Sequence, residues 1–139
     1  MPSSETLIHW NWLRGWLIYM NPKTKLQKKA DSIWREEILR RAKGRCEVCG
    51  QRAIQAHHYY RKGGYGHLRY DLNNGVALCR ACHFSIHFTA KVNEIDKKIR
   101  DRRGKKWENS LYKKSKQRKE SFKSIKYYEQ TIKTLRAIK

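Results

Sequence analysis

Two cysteine pairs at the same short spacing, Cys46-x-x-Cys49 and Cys79-x-x-Cys82, constrain this chain more than any other feature. Two such knuckles can present four thiolates to one tetrahedral Zn²⁺. The gap between them is longer than in a short zinc ribbon, so an element must be inserted between the knuckles. Four unrelated free cysteines would not explain the paired spacing. A structural Zn²⁺ held by Cys46, Cys49, Cys79 and Cys82 is expected, tying the start of the inserted element to its end. The chain has 139 residues, 39% of them hydrophobic, so its core is modest. In a domain of that size a metal staple contributes a large share of the folding free energy.

The charge constrains the partner. Lys and Arg number 33 against 12 Asp and Glu, a formal net charge of +21. Such a surplus repels itself unless a polyanion is near. Nucleic acid is the first candidate, because neutralising phosphates releases counterions. An anionic membrane surface is the second. No stretch is built to span a membrane. The most apolar one, Leu7 to Met20, is short and broken by His9, Asn11 and Arg14. It carries Glu5 ahead of it rather than a basic cluster, and no small-residue cleavage site follows. It reads as a helix packing on the domain, with His9 a surface or packing histidine. A reducing, cytoplasmic compartment is expected, where cysteines serve metals rather than disulfides.

Along the chain, "NPKTK" (Asn21 to Lys25) is a break. A helix is expected from about Leu26 to Lys43, since Leu26, Ala30, Ile33, Trp34, Ile38 and Ala42 fall at helical spacing and Gly44 is a natural stop. "AIQAHHYY" alternates as a strand does. "RKGGYGHLRYDLNNG" is a long loop ending in an Asn74-Gly75 turn signal, and "VALC" is a second strand. A helix should begin at Arg80. The spacings of Val92, Ile95 and Ile99, and of Phe122, Ile125, Tyr128, Ile132 and Leu135, suggest two more, separated by Gly104. The last of these is lysine-rich, with too thin an apolar stripe for a strong core of its own. Three parts follow: residues 1–44, helical and packed on the core; 45–90, the metal-bearing core; and 91–139, a basic helical extension.

The inserted element carries adjacent histidines, His57 and His58, on the first strand. Neighbouring side chains on a strand point to opposite faces, so the pair can do two jobs. Cys82 is followed by His83 and then His87, at i and i+4 on one helix face. At about 100° per residue, these lie about 100° and about 140° from Cys82, so the histidine face turns away from the cysteine. One helix can thus hold zinc at its N-terminal edge and a second metal on its flank. His67 fits no ligand spacing.

These residues, "AHHYY…NNGVALCRACHFSIH", resemble the HNH endonucleases, the ββα-metal nuclease fold, over about Arg45 to His87. The separations of His58, Asn74 and His83 are similar to those of the nuclease colicins, which lack the cysteines. The cysteine-bearing form is similar to small phage HNH proteins. The resemblance implies an α+β fold: a small ββα-metal core with zinc-binding knuckles, flanked by N- and C-terminal helices. It implies that His57, His83 and His87 hold one catalytic divalent ion, Mg²⁺, Mn²⁺ or another transition metal. It makes His58 the general base that deprotonates the attacking water. Asn74 would brace the loop between the strands and hold His58 in place. A phage-encoded chain would work in the host cytoplasm.

The residue chemistry agrees with that implication. Phosphodiester hydrolysis needs an activated water, a charge sink for the transition state and help for the leaving oxygen. A neutral imidazole suits the first task, and a metal the other two. Arg61, Lys62 and Arg69 lie in the loop beside the histidine pair and are candidate contacts to DNA phosphates. The expected activity is a metal-dependent endonuclease that nicks double-stranded DNA, leaving 5′-phosphate and 3′-hydroxyl ends. A non-catalytic zinc-ribbon module that binds nucleic acid is the alternative. It accounts for the cysteines and charge but not for the histidines. A basic RNA-associated structural protein accounts for the charge alone. One site per chain suits a monomer; the stripe of Phe122, Ile125, Ile132 and Leu135 is the one candidate dimer surface.

Overall fold

A computed structural model describes residues 20–117 and 123–138. The apolar stretch at Leu7, with His9, and Phe122 of the last stripe lie outside the described residues. Among those described, the chain is α+β: five α-helices, one two-stranded antiparallel sheet and a four-cysteine cluster. None of these helices is long and apolar enough to cross a membrane.

Helix α1 is Pro22–Arg41. It starts earlier than the apolar spacing implies. The Asn21-Pro22 pair, read from sequence as part of a break, is the helix start: the Asn21 side chain accepts a hydrogen bond from Lys23 N at 2.9 Å, and Pro22 occupies the first turn. Both are favoured there, an amide oxygen for its acceptor and proline for its fixed φ. Lys43 and Gly44 then turn the chain out with φ of 53° and 69°.

Strand β1 (Gln55–His58) pairs antiparallel with β2 (Gly75–Leu78), His57 opposite Val76 and His58 opposite Gly75. The loop between them contains two single-turn 3-10 helices, Gly66–Leu68 and Leu72–Asn74. Asn74-Gly75 is therefore not the apex of a tight hairpin. Gly75 is required for a different reason: a Cβ there would overlap Ile38 Cδ1 and Cγ1 and lie 2.9 Å from Trp34 Cζ2. Its missing side chain lets α1 sit directly on the sheet. Helix α2 (Arg80–Phe88) follows β2 at once, capped by Cys79, whose Sγ accepts from Cys82 N at 3.4 Å.

Helices α3 (Val92–Arg103) and α4 (Lys105–Ser115) meet at Gly104, whose φ of 86° makes the sharp corner. The spacing of apolar residues did not reveal α4. Its sequence is mostly lysine and polar, yet Leu111 is fully buried, and Trp107 Nε1 donates to Asn73 O at 2.8 Å. Helix α5 (Ile125–Arg136) begins at Ser124, whose hydroxyl accepts from Tyr127 N at 3.1 Å.

The sheet divides two small cores. Ala77 faces one, with Ala30, Trp34 and Ile38 of α1 and Tyr128, Ile132 and Leu135 of α5. Val76 and Leu78 face the other, with Ile95 and Ile99 of α3 and the thiols of Cys46 and Cys79. The alternation along β2 is what a two-faced strand demands. The C-terminal stripe is thus not thin in its effect. Burying side chains the size of Ile132 and Leu135 against α1 contributes about 1.5–3 kcal/mol each.

Candidate metal centres

The knuckles converge as their spacing implies. The donor atoms of Cys46, Cys49, Cys79 and Cys82 all lie within 4.8 Å of one another, with Cys49 Sγ and Cys79 Sγ at 3.6 Å. Four sulfurs about 2.3 Å from a tetrahedral Zn²⁺ sit about 3.8 Å apart, so the donor set fits that ion. Cys46 and Cys79 are buried, Cys82 half-buried and Cys49 exposed. Burial opposes ionisation of Cys46, but the backbone N–H groups of Cys49, Cys79 and Val48 outweigh it and bring its pKa down to about 7. Burial and the neighbouring thiols push Cys82 the other way, well up. The crowding favours the Cys46 thiolate and resists those of Cys49 and Cys82, a conflict that a central cation relieves.

Glu47, inside the first knuckle, fastens it to the sheet. Its carboxylate accepts from Ala77 N at 2.8 Å and takes a two-pronged ion pair from Arg103 at 2.7 and 2.9 Å. Arg103 also donates to Gly75 O at 2.7 Å. Sequence reasoning missed both residues. An acid between paired cysteines was the one visible signal.

The second centre lies on the other flank of α2. His57 on β1 faces His83 and His87, with ring centroids 5.5 Å from each; His83 and His87 are 4.8 Å apart. Their donor nitrogens lie within 4.8 Å of one another, close enough for small ring rotations to bring them onto one ion. Burial first, then the neighbouring His83 and His87, bring the His57 pKa down to about 4. Burial and His87 also lower that of His83. His57 and His83 therefore offer neutral lone pairs at physiological pH, the form a metal requires.

His58 turns to the opposite face. Its ring stacks flat on Trp34 of α1, centroids 4.1 Å apart and planes 8° from parallel. Its Nε2 lies 2.9 Å from Arg69 O. A carbonyl only accepts, so the proton sits on Nε2 and the lone pair on Nδ1. Burial, aided by Lys62 and Arg69, lowers the His58 pKa against that opposing bond.

Arg69 is tied down. Its guanidinium forms two hydrogen bonds to Asp31, at 2.9 and 2.7 Å. The sequence makes it a candidate phosphate contact; in the structure Asp31 holds its guanidinium and its backbone carbonyl meets His58 Nε2. Asn74 is completely buried. Its Oδ1 accepts from Tyr60 N at 2.7 Å, and its Nδ2 donates to Tyr60 O and Leu68 O at 3.1 and 3.2 Å. The amide thus clamps the loop that leaves β1 to the loop that carries Arg69. His67 is used elsewhere, bonding Lys114 O at 3.1 Å.

A cleft of about 470 Å³ opens over the histidines, lined by His57, His58, Arg61, Lys62, His83 and His87. A second cleft of about 470 Å³ shares Lys62 with it and adds Lys23, Arg69 and Lys123, with no acidic residue among the described residues that line it. The structure brings together the four cysteines, the three histidines on one ion-sized spot, and His58, Arg61 and Lys62 on the same cleft. No protein-family model, curated protein or solved structure matches the chain.

Proposed function

We propose that the chain is a metal-dependent DNA endonuclease of the HNH, ββα-metal kind. The observation that carries the proposal is the half-exposed cluster of His57, His83 and His87 at a cationic cleft, with His58 on the same cleft. The succession β1, β2, α2, with the ligands on β1 and α2, supports the same reading. In it the four cysteines hold a structural Zn²⁺ and the three histidines a separate divalent ion. Such an ion, when bound, would supply positive charge to the reacting phosphate.

The protein's own residues do the rest. His58 takes a proton from the attacking water at Nδ1. The Arg69 carbonyl on Nε2 fixes the tautomer and steadies the imidazolium that forms, as a hydrogen-bond acceptor behind a general base does. Trp34 holds the ring in plane. Asn74 acts through the loop, keeping the Arg69 carbonyl where His58 needs it. Arg61 and Lys62 hold phosphates in the cleft, and the groove beyond Lys62, with Lys23, Arg69 and Lys123, continues the cationic track. The activated water forms the new P–O bond as the P–O3′ bond breaks, and the leaving 3′ oxygen takes a proton from solvent, so the products are 5′-phosphate and 3′-hydroxyl ends.

Supercoiled plasmid incubated with the protein and Mg²⁺ or Mn²⁺ tests this. Open circles should appear before linear molecules, because one chain carries one site, and EDTA should stop the reaction. Retarded but uncut plasmid under every divalent ion would favour a zinc-ribbon binding module instead. Linear product from the first time point would indicate paired sites in a dimer.

A further inference from the structure

Helix α2 repeats a two-residue unit, His83-Phe84 and His87-Phe88. The histidines face the ion site; the phenylalanines face water. None of the residues of α2 is buried. Phe84 is 56% exposed and Phe88 72%. Their rings lie 4.9 Å apart, tilted 35° from each other, and Phe88 is 6.1 Å from His87. Each phenylalanine is about 100° further round the helix than its histidine, so the aromatic pair flanks the cleft rather than filling it.

Neither residue belongs to the two cores, and the two exposed rings stand together on one helix as a contiguous aromatic surface. The surrounding charge selects the partner. From Arg80 to Asn93 the sequence contains no acidic residue, and exposed cations stand on either side of the pair: Arg80 at the first position of α2, and Lys91 in the turn that leads into α3. Exposed aromatic faces between cations match a nucleobase whose own backbone carries flanking phosphates. They match an apolar protein groove less well.

We propose that Phe84 and Phe88 form a stacking platform for unpaired nucleobases beside the histidine cleft, so that the chain favours single-stranded or locally opened DNA over intact duplex. In duplex DNA the base faces are covered by their neighbours and cannot reach the rings. Phenylalanine has no hydrogen-bonding group, so the platform reads no base identity. Cleavage of such DNA rests on the endonuclease reading; binding to it does not.

The test measures binding with no divalent ion added. Fluorescence anisotropy compares a labelled single-stranded oligonucleotide with its duplex, for the wild-type protein and for the double variant Phe84→Ala, Phe88→Ala. Both side chains are exposed, so the variant should melt as the wild type does. The wild type should bind the single strand more tightly. The double variant should lose about tenfold or more on the single strand and less than about twofold on the duplex. Phe84→Tyr with Phe88→Tyr should restore the single-strand affinity. Equal losses on both DNAs, or none on the single strand, would overturn the proposal. So would a change in sedimentation of the protein alone with DNA affinity unchanged, which would make the pair a contact between copies of this chain. A wild type that discriminates as expected but never nicks plasmid would leave the platform standing and remove the nuclease reading.

Discussion

The four-cysteine cluster and the three-histidine cluster share helix α2 but face different surroundings. Two of the four thiols are buried in the sheet's α3-side core, and backbone N–H groups and the Glu47–Arg103 pair close the knuckle around them. The histidines open onto a cleft of about 470 Å³, and His87 is exposed. Four soft donors in a closed shell suit a metal that holds structure. Three imidazoles with space in front suit a metal that must admit water and a phosphate. Their separation follows from helical geometry: Cys82 and His83 are neighbours in sequence, but the helix turns them apart.

The largest break in this comparison comes from the closed side. Cys79 caps α2, contacts the core and supplies one of the four clustered sulfurs. Cys79→Ser should lose the zinc and, with it, more than about 5 kcal/mol, the scale of a structural zinc site. Near-ultraviolet circular dichroism and metal analysis read the loss. A variant that folds normally without zinc would show that the cluster is not structural. On the open side, His58→Ala should reduce cleavage about 10²- to 10⁴-fold, the range of a general base. DNA affinity should hardly change, because phosphate contacts come from cations. The lost stacking on Trp34 should cost about 0.5–1.5 kcal/mol of stability as well. Cutting at the wild-type rate would show that another group takes the proton.

A third variant separates stability from both metals. Ile132→Ala on α5 should cost about 2–4 kcal/mol by leaving a cavity against α1. Metal content should stay at the wild-type level, as urea unfolding with metal analysis would show. An unchanged midpoint would mean that α5 is only an arm. By the same reasoning, removing everything from Lys105 onward strips Leu111, Tyr128, Ile132 and Leu135 from the fold.

The smallest effect is one of pH. His57 sits at about 4 in the fold, below the ordinary histidine value near 6.5. Between those values the unfolded chain binds more protons than the folded one. Stability therefore rises with pH across that window and falls as pH drops from 6.5 toward 4. For His57 alone the slope is at most about 1.4 kcal/mol per pH unit. His58 and His83 shift in the same direction. Urea unfolding at pH 5.5 and 6.5, with zinc retained and no other metal added, should show the slope, and His57→Gln should flatten it. A wild-type slope of zero would mean that burial does not hold His57 neutral.

Much of the arrangement was legible in the sequence because it is local. The cysteine pairs, the i and i+4 histidines, the α1 stripe and the start of α2 at Arg80 are statements about spacing, and spacing survives folding. What escaped was long-range or polar. Helix α4 shows few apolar residues, and its place depends on Trp107 reaching Asn73 and Leu111 entering the core. The need for Gly75 comes from Ile38 and Trp34, far back in the chain. Trp34 could be read as a core residue but not as the surface on which His58 lies. Asp31 capturing Arg69, and Arg103 capturing Glu47, are choices among many possible ion pairs, and no periodicity marks them.

Titration of Mn²⁺ into the zinc-loaded protein, followed calorimetrically alongside zinc analysis, tests most directly whether the two clusters are separate centres. The wild type should take up one further equivalent of Mn²⁺ with its zinc retained. His83→Ala should lose that Mn²⁺ binding and keep its zinc and its melting temperature. Mn²⁺ binding that survives His83→Ala, or zinc that leaves with it, would contradict the account.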